Sequence, residues 1–455
     1  MENYNIENLR KFFSSGKTLD VNFRKQKLKQ LKAEIIKNEK EIFKALETDL
    51  GKSSTEAYMS EVGLVLSEID CCIKHLKKWA KPKKVRSPLA QFPSKSYILS
   101  EPLGVVLIMS PWNYPFMLTL NPLIGAIGAG NCAIVKPSRY SGATSDVIKK
   151  ILNNVFSEDY VLVVLGGREQ NQMLLDLKVD YIFFTGGVNV GKTVASKAAV
   201  NLTPTTLELG GKSPCIIDKS ANIKLAAKRV VFGKFLNCGQ TCIAPDYILV
   251  HESVKDQFIE FAKNEIQAIF GKNPLENNLY GKIINEKHFD RLMGLIDKSK
   301  VAFGGNGDRR ELKIEPTILN DVSLSDACMG EEIFGPIMPI LTYKTLDQAK
   351  EIIKTYAKPL ALYVFSNDKN FVSDVLNTIS YGGGCVNDTI IHIASTKLPF
   401  GGVGESGMGH YHGKFSFDTF SHKKSIVKKS VVIDLPIRYQ PYTKTKDSLI
   451  RKFLK

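Results

Sequence analysis

A thiol and a carboxylate, each in a turn-prone segment, are the residues of this chain best suited to covalent chemistry. Cys242 lies in the uncharged stretch NCGQTC, and Glu208 comes just before the glycine pair of TTLELGGKSP. A cysteine nucleophile with a carboxylate base suits acyl chemistry. Taken singly, each has an ordinary alternative, because a lone cysteine is usually a small core residue and a lone glutamate a solvated charge.

A second candidate is the segment from Gly186 to Thr193, GGVNVGKT, which has the G-x-x-x-x-G-K-[ST] pattern of P-loop NTPases. Asp218, in PCIIDKS, could end a strand and hold the magnesium ion that such enzymes need. Glycines at a strand-to-helix turn suit the pyrophosphate of a dinucleotide equally well. The octapeptide alone therefore leaves both phosphate ligands open.

The elements that must position these residues follow an alternating pattern. Residues 1–80 have apolar residues at helical spacing, and a proline-rich stretch over 81–104 predicts an extended crossing segment. Short apolar strands then alternate with helices to about residue 200, which predicts a doubly wound parallel sheet, and a second α/β pattern starts near Leu209. Asn113, Lys136 and the glycine loop fall at strand carboxyl ends, where such sheets bind ligands.

Composition limits the remaining function classes. The 455 residues predict two or three domains, and the uncharged stretch 102–135 is interrupted by four prolines, which favours a buried strand and helix over a membrane span. Eight dispersed cysteines without a C-x-x-C pair or a zinc array indicate reduced thiols in a cytoplasm and no metal site.

The net charge of +16 is concentrated at the C-terminal end, where residues 423–455 contain ten Lys/Arg and two Asp. This tail is either a solvated surface or a segment attracted to an anionic membrane as a peripheral contact. No nucleic-acid-binding motif accompanies the charge, so we expect no nucleic-acid partner.

Several motifs, in order and in spacing, resemble the aldehyde dehydrogenase superfamily, and its class 3 branch for fatty or aromatic aldehydes in particular. Besides the two segments named first, they are SPWNYP (110–115), VKPSRY (135–140), FFTGGVNVGK (183–192), EEIFGP (331–336) and LPFGGVGESGMGHYHGKFSFDTFSHKKSI (398–426). The resemblance covers nearly the whole chain. It implies an α/β fold with a Rossmann-like, doubly wound dinucleotide-binding domain (1–81 and 104–208), an α/β catalytic domain (209–412), and a small β oligomerisation element with the basic tail (82–103 and 413–455) that forms a homodimer.

The resemblance also assigns roles in aldehyde oxidation. Cys242 would attack the aldehyde carbon, the Asn113 side chain would form the oxyanion hole with the Cys242 backbone N–H, and Glu208 would activate the water that hydrolyses the thioester. The presence of Glu208 favours hydrolysis over transfer to CoA. Tyr114, Thr241 and Phe400 lie beside these motifs and would line the aldehyde tunnel, and His392 is expected on a strand near it.

The implied cofactor is NAD or NADP. The residues that would bind it are Lys136, Arg139, Gly186, Gly187, Gly191, Glu332 and Phe334. Arg139 departs from the family pattern, which has a glutamate there to hold the adenosine ribose. A guanidinium pairs with a 2′-phosphate but accepts no hydrogen bond from a 2′-hydroxyl, so we expect NADP to be used at least as well as NAD; an Arg139 side chain directed to solvent is the alternative.

Overall fold

The computed structural model of the protein describes residues 6–454. Its N-terminal part is helical, as the sequence predicts. Asp20 caps the second helix by accepting a hydrogen bond from the Asn22 N–H, and Gly51 adopts a left-handed conformation where the third helix ends. The α-helices before the first strand are α1 (Ile6–Ser14), α2 (Val21–Lys37), α3 (Glu39–Leu50), α4 (Ser54–Ala57) and α5 (Gly63–Trp79).

Short strands and helices alternate over the rest of the described chain. The strands are β1 (Lys83–Val85), β2 (Ser94–Pro102), β3 (Val105–Met109), β4 (Cys132–Lys136), β5 (Val161–Val163), β6 (Tyr181–Thr185), β7 (Thr205–Glu208), β8 (Pro214–Ile217), β9 (Tyr247–His251), β10 (Val301–Phe303), β11 (Gly307–Asp308), β12 (Lys313–Ile314), β13 (Thr317–Leu319), β14 (Ile337–Tyr343), β15 (Ala361–Phe365), β16 (Gly383–Val386), β17 (Gly407–Met408) and β18 (Ser421–Lys429). The helices are α6 (Pro115–Ala129), α7 (Gly142–Val155), α8 (Arg168–Asp176), α9 (Val188–Val200), α10 (Ile223–Phe235), α11 (Lys255–Phe270), α12 (Glu286–Met293), α13 (Ala327–Gly330), α14 (Leu346–Lys354), α15 (Lys369–Thr378), α16 (Lys414–Thr419) and α17 (Lys444–Phe453).

The first sheet has six strands in the order β17-β7-β6-β3-β4-β5, parallel except for β17. The uncharged stretch 102–135 forms β3, α6 and β4 of this unit. All 15 residues of α6 are buried, which explains why no face of this helix carries a charge. Within residues 6–454, no helix combines the length and the apolar character that a membrane span requires.

The second sheet has seven strands in the order β10-β13-β14-β9-β8-β15-β16, and only β10 is antiparallel to its neighbour. The predicted α/β fold with parallel sheets is therefore confirmed. Because β8 belongs to this sheet, Asp218 follows a strand of the second unit and not of the unit that contains Gly186. Its carboxylate binds Ser220 and Ser366 instead.

A third sheet joins the proline-rich crossing segment to the C-terminal part of the chain. Its order is β1-β2-β18, and β18 pairs antiparallel with β2 from Ser421 opposite Pro102 to Lys429 opposite Ser94. This sheet contains part of the segments that the resemblance assigns to oligomerisation. That assignment remains a prediction.

Candidate active site

Cys242 lies in a loop that begins where α10 ends. A 3-10 turn over Leu236–Gly239 contains Asn237 and Cys238 in the left-handed region, and this sharp reversal carries the chain into the interior. Burial, together with the charges of Glu332 and Glu208, raises the pKa of the Cys242 thiol to about 12, although the backbone N–H groups of Cys242 and Ile243 face the sulfur and oppose the rise. The resting thiol is therefore protonated at neutral pH.

Glu208 ends β7, where it pairs with Gly407 of β17, and its carbonyl accepts a hydrogen bond from the Gly186 N–H. Its side chain is buried, and neither carboxylate oxygen has a hydrogen-bond partner among the described residues. Burial holds the pKa of this carboxyl well above its usual range. A buried carboxyl group with both oxygens free is suited to exchange a proton with a substrate or a water molecule.

Asn113 and Tyr114 follow β3 and reach the cysteine loop. The Asn113 Nδ2 donates to the carbonyl of Gln240 at 3.0 Å, and the Tyr114 hydroxyl lies 2.6 Å from the Thr241 Oγ1. The Asn113 amide carries two hydrogens, so one remains for a ligand.

One apolar cavity of ≈ 160 Å³ is lined by five of the six predicted catalytic and pocket residues: Cys242, Glu208, Tyr114, Thr241 and Phe400. The sixth, Asn113, is not among the described residues that line it. The sequence reasoning missed much of its wall, which comes from the N-terminal helices, from α6 and from the segment after β16. The additional wall residues are Met59, Ser60, Leu64, Met117, Leu118, Thr185, Leu209, Phe232, Leu236, Ile243, Leu360, Ile390, Ile391, Ile393, Ala394 and Tyr411. Thr185, Leu209 and Tyr411 lie within quoted motifs that did not single them out. Only an apolar segment followed by a turn hints at residues 390–394.

Two histidine rings stack against Phe400 at this wall. The ring centroids of His392 and His412 lie 5.9 Å and 5.4 Å from that of Phe400. Burial lowers the pKa of both histidines to about 4, so both rings are neutral at physiological pH. The expectation of a strand at His392 was wrong: β16 ends at Val386, and His392 lies in a 3-10 turn because the chain reverses at Ile390, which has a positive φ.

Lys136 and Arg139 flank a turn at one end of the first sheet. The Lys136 amine donates to the Gly166 carbonyl at 2.7 Å, and burial, with the nearby charge of Arg139, lowers its pKa to about 8. The exposed Arg139 side chain packs over Gly167, where its Nη1 lies 2.8 Å from the position that a Cβ would take. Lys136 ends β4 and the glycine loop follows β6, so both lie at the carboxyl-end edge of the same sheet.

The glycine loop joins β6 to α9. Gly187 is the N-terminal flanking residue of α9, and the loop leaves the first-turn N–H groups of the helix for an anion. Gly191 lies inside the helix, where its N–H donates to the Gly187 carbonyl and where a Cβ would meet the Leu209 side chain at 2.6 Å. Its role in this structure is close packing of α9. The Lys192 amine pairs with Glu405 at the surface, so nothing in the geometry supports the P-loop alternative.

Glu332 and Phe334 precede β14, and Glu332 approaches the glycine pair after β7. The Glu332 carboxylate accepts a hydrogen bond from the Gly211 N–H, and a side chain at Gly210 would collide with it. Burial, with the charge of Asp246, raises the pKa of Glu332 to about 8. The Phe334 ring lies edge-on to Trp112 at 5.4 Å. Within the described residues, no group of three or more metal-binding side chains is present.

Comparisons with known proteins agree with this geometry. The sequence profile of the aldehyde dehydrogenase family matches residues 3–426. The chain is 51% identical to a Staphylococcus aureus 4,4′-diaponeurosporen-aldehyde dehydrogenase, over 98% of this chain and 97% of that protein. It is 46% identical to a rat dimeric NADP-preferring aldehyde dehydrogenase, over 94% of each chain. A solved structure of a substrate-bound Staphylococcus aureus AldH superposes with a TM-score of 0.97 at 50% identity and covers 99% of this chain and 98% of its own. The chain belongs to the aldehyde dehydrogenase family.

Proposed function

We propose that this protein oxidises medium- and long-chain aliphatic or aromatic aldehydes to carboxylic acids with NAD or NADP. The observation that carries the proposal is the single apolar cavity shared by Cys242 and the unpaired carboxyl of Glu208. Relatives support the cofactor: the rat protein is named NADP-preferring, and a Staphylococcus aureus betaine aldehyde dehydrogenase, 26% identical with a TM-score of 0.85, was solved with NAD⁺.

In the first half-reaction, the Cys242 sulfur forms a bond to the aldehyde carbon and loses its proton. Because the thiol has a pKa of about 12, its proton leaves to water as the carbon–sulfur bond forms, and the N–H groups of Cys242 and Ile243 that face the sulfur stabilise the negative charge on it. The carbonyl oxygen becomes an oxyanion, which the free Asn113 amide hydrogen and the Cys242 backbone N–H stabilise. The two-electron oxidation that turns this thiohemiacetal into a thioester is the chemistry that NAD or NADP supplies when bound.

In the second half-reaction, Glu208 takes a proton from water. The hydroxyl attacks the thioester carbon, the carbon–sulfur bond breaks, and the carboxylic acid leaves while the sulfur regains a proton. Burial makes Glu208 a stronger base than a solvated glutamate, because its pKa is raised. A base in this place favours hydrolysis over transfer to CoA.

The residues that would hold the pyrophosphate and the adenosine half of the cofactor lie at or after the carboxyl ends of β4 and β6 in the first sheet. We propose that the turn at Gly186 and Gly187 binds the pyrophosphate, with Gly191 allowing the close approach of α9, and that Lys136 and Arg139 bind the adenosine half. Glu332 and Phe334 would bind the nicotinamide ribose and ring. The lone carboxylate of Glu332 against the bare Gly210 backbone fits a ribose hydroxyl donor.

The assembly is proposed to be a homodimer that works in the cytoplasm, where its eight free thiols would stay reduced. The three-stranded sheet would pair the subunits, and the word "dimeric" in the rat relative's name supports this state. We further propose that the basic tail contacts anionic membranes. Its support is α17, which carries basic residues beside exposed apolar ones, together with Val431 and Val432, which are 99% and 89% exposed.

The substrate class can be tested with acetaldehyde, butanal, hexanal and benzaldehyde. We expect kcat/KM to rise with chain length, because each buried methylene contributes up to about 0.8 kcal/mol, or roughly a fourfold gain. Hexanoic acid should form from hexanal without CoA. Ile391→Asn at the cavity wall should weaken the chain-length dependence, whereas Ile36→Asn, at an exposed isoleucine outside the cavity, should not. A flat profile in the unmodified enzyme would contradict an apolar substrate.

The contribution of Arg139 can be tested by Arg139→Glu. A guanidinium–phosphate hydrogen bond contributes about 1.5–3 kcal/mol, so the ratio of kcat/KM for NADP to that for NAD should fall by roughly ten- to a hundredfold. Lys192→Glu makes the same change of charge at an exposed side chain of α9 and should leave the NADP-to-NAD ratio of kcat/KM unchanged. If Arg139→Glu also leaves it unchanged, the guanidinium does not bind the 2′-phosphate.

The membrane contact can be tested by removing residues 445–455. Co-sedimentation with phosphatidylglycerol vesicles should weaken by about fivefold for each basic residue lost near the surface. Neutral phosphatidylcholine vesicles serve as the control, and the truncated protein should sediment as the same oligomer as the full chain, since β18 is intact. Equal binding before and after truncation would exclude the tail as the contact.

A further inference from the structure

We propose that Lys52 is a positioning residue for the oxyanion hole and that it acts through Asn113. This inference rests on the role proposed above for the Asn113 amide. No sequence motif marks Lys52, which follows the end of α3 and lies far along the chain from the residues that it contacts.

Lys52 is a fully buried cation with three partners. Its side chain is 0% exposed, and its amine lies 2.6 Å from the Glu61 carboxylate and 3.2 Å from the Asn113 carbonyl. The amine also lies 4.0 Å from the centroid of the Tyr114 ring, within range of a cation–π interaction. Two consecutive residues of the loop between β3 and α6, Asn113 and Tyr114, thus contact one ammonium group.

Glu61 fixes the other end of the same loop. While one of its oxygens pairs with Lys52, the other accepts hydrogen bonds from the N–H groups of Phe116 at 2.8 Å and Met117 at 3.2 Å. These N–H groups belong to the first turn of α6, where a helix has unsatisfied donors and favours a negative charge. The ion pair therefore holds the whole segment from residue 113 to residue 117.

The Asn113 backbone is also tied to the loop that carries the nucleophile. The Asn237 Nδ2 donates to the Asn113 carbonyl at 2.8 Å, and the Gln240 carbonyl accepts from both amides. The Asn113 carbonyl therefore has two donors, Lys52 and Asn237. The Asn113 amide can hold its second hydrogen toward Cys242 only while this backbone stays in place.

A buried lysine–glutamate pair contributes little net stability, since two desolvated charges cost about as much as their attraction returns. The pair instead fixes the position of the segment from residue 113 to residue 117. A displacement of about 1 Å at a catalytic group can cost roughly a hundredfold in rate, even when the displaced residue is not itself changed.

The test is a double-mutant cycle of Lys52→Met and Asn113→Ala, measured as the rate of the first NADPH formed in a single turnover with hexanal. We expect Lys52→Met alone to slow this rate by about ten- to a hundredfold and to leave the affinity for NADP unchanged. In the Asn113→Ala background, Lys52→Met should cause no further loss, because the group through which it acts is gone.

Lys52→Met leaves Glu61 buried without its partner and can prevent folding, so the same cycle is also run with Lys52→Met and Glu61→Gln together, which removes both charges of the ion pair. Thermal unfolding monitored by circular dichroism identifies the folded variants. An equal loss in both backgrounds, or no loss in either, would overturn the inference. If Asn113→Ala itself leaves the rate unchanged, the proposed oxyanion role fails, and the positioning role fails with it.

Discussion

The constraint on which the rest of this structure depends is the burial of a carboxyl group and a thiol in one apolar cavity. Glu208 has no hydrogen-bond partner for either oxygen among the described residues, and the pKa values of Glu208 and Cys242 are both raised by loss of water. Burying an unsatisfied carboxyl group costs stability, which a domain tolerates only where the surrounding structure holds it. Here β7 is held between β6 and β17, so the side chain cannot withdraw. The desolvation that lowers the stability of this arrangement also makes Glu208 a stronger base. It strengthens the hydrogen bonds that donors in the site make to an oxyanion.

That constraint explains why the site lies between two α/β units. Glu208 and Asn113 come from the carboxyl ends of strands in the first sheet, whereas Cys242 comes from the loop that leads into the second. Neither unit contains the pair alone, so their relative position must be fixed by contacts between the units, such as the hydrogen bonds from the Asn113 side-chain amide to the Gln240 carbonyl and from the Asn237 side-chain amide to the Asn113 carbonyl. Side chains from distant helices then close the cavity. The ion pair of Lys52 with Glu61 contacts the segment after β3 at the Asn113 carbonyl and the Phe116 N–H.

The sequence predicted the parts of this arrangement that are local. Apolar runs such as VVLIM and YIFFT became fully buried strands, Gly130 ended α6 in a left-handed conformation, and the resemblance brought Asn113, Glu208 and Cys242 to notice together. The parts that depend on distant contacts were not predictable. The cavity wall at Met59 and Ile391 has no pattern of its own, and β16 ends earlier than its apolar run suggests because the chain reverses at Ile390. The octapeptide at 186–193 matched a P-loop because a short pattern carries no information on which sheet Asp218 joins.

The central claim, that Cys242 carries an acyl group which Glu208 removes, is tested most directly by intact-mass spectrometry of Glu208→Gln mixed with hexanal and NADP. Glutamine keeps the shape of the side chain but cannot take a proton from water, so deacylation should become the slow step. The account predicts a burst of about one equivalent of NADPH per subunit, a mass increase equal to a hexanoyl group on Cys242, and slow turnover afterwards. No burst and no adduct, with Cys242→Ser as the reference for an enzyme without the nucleophile, would contradict it.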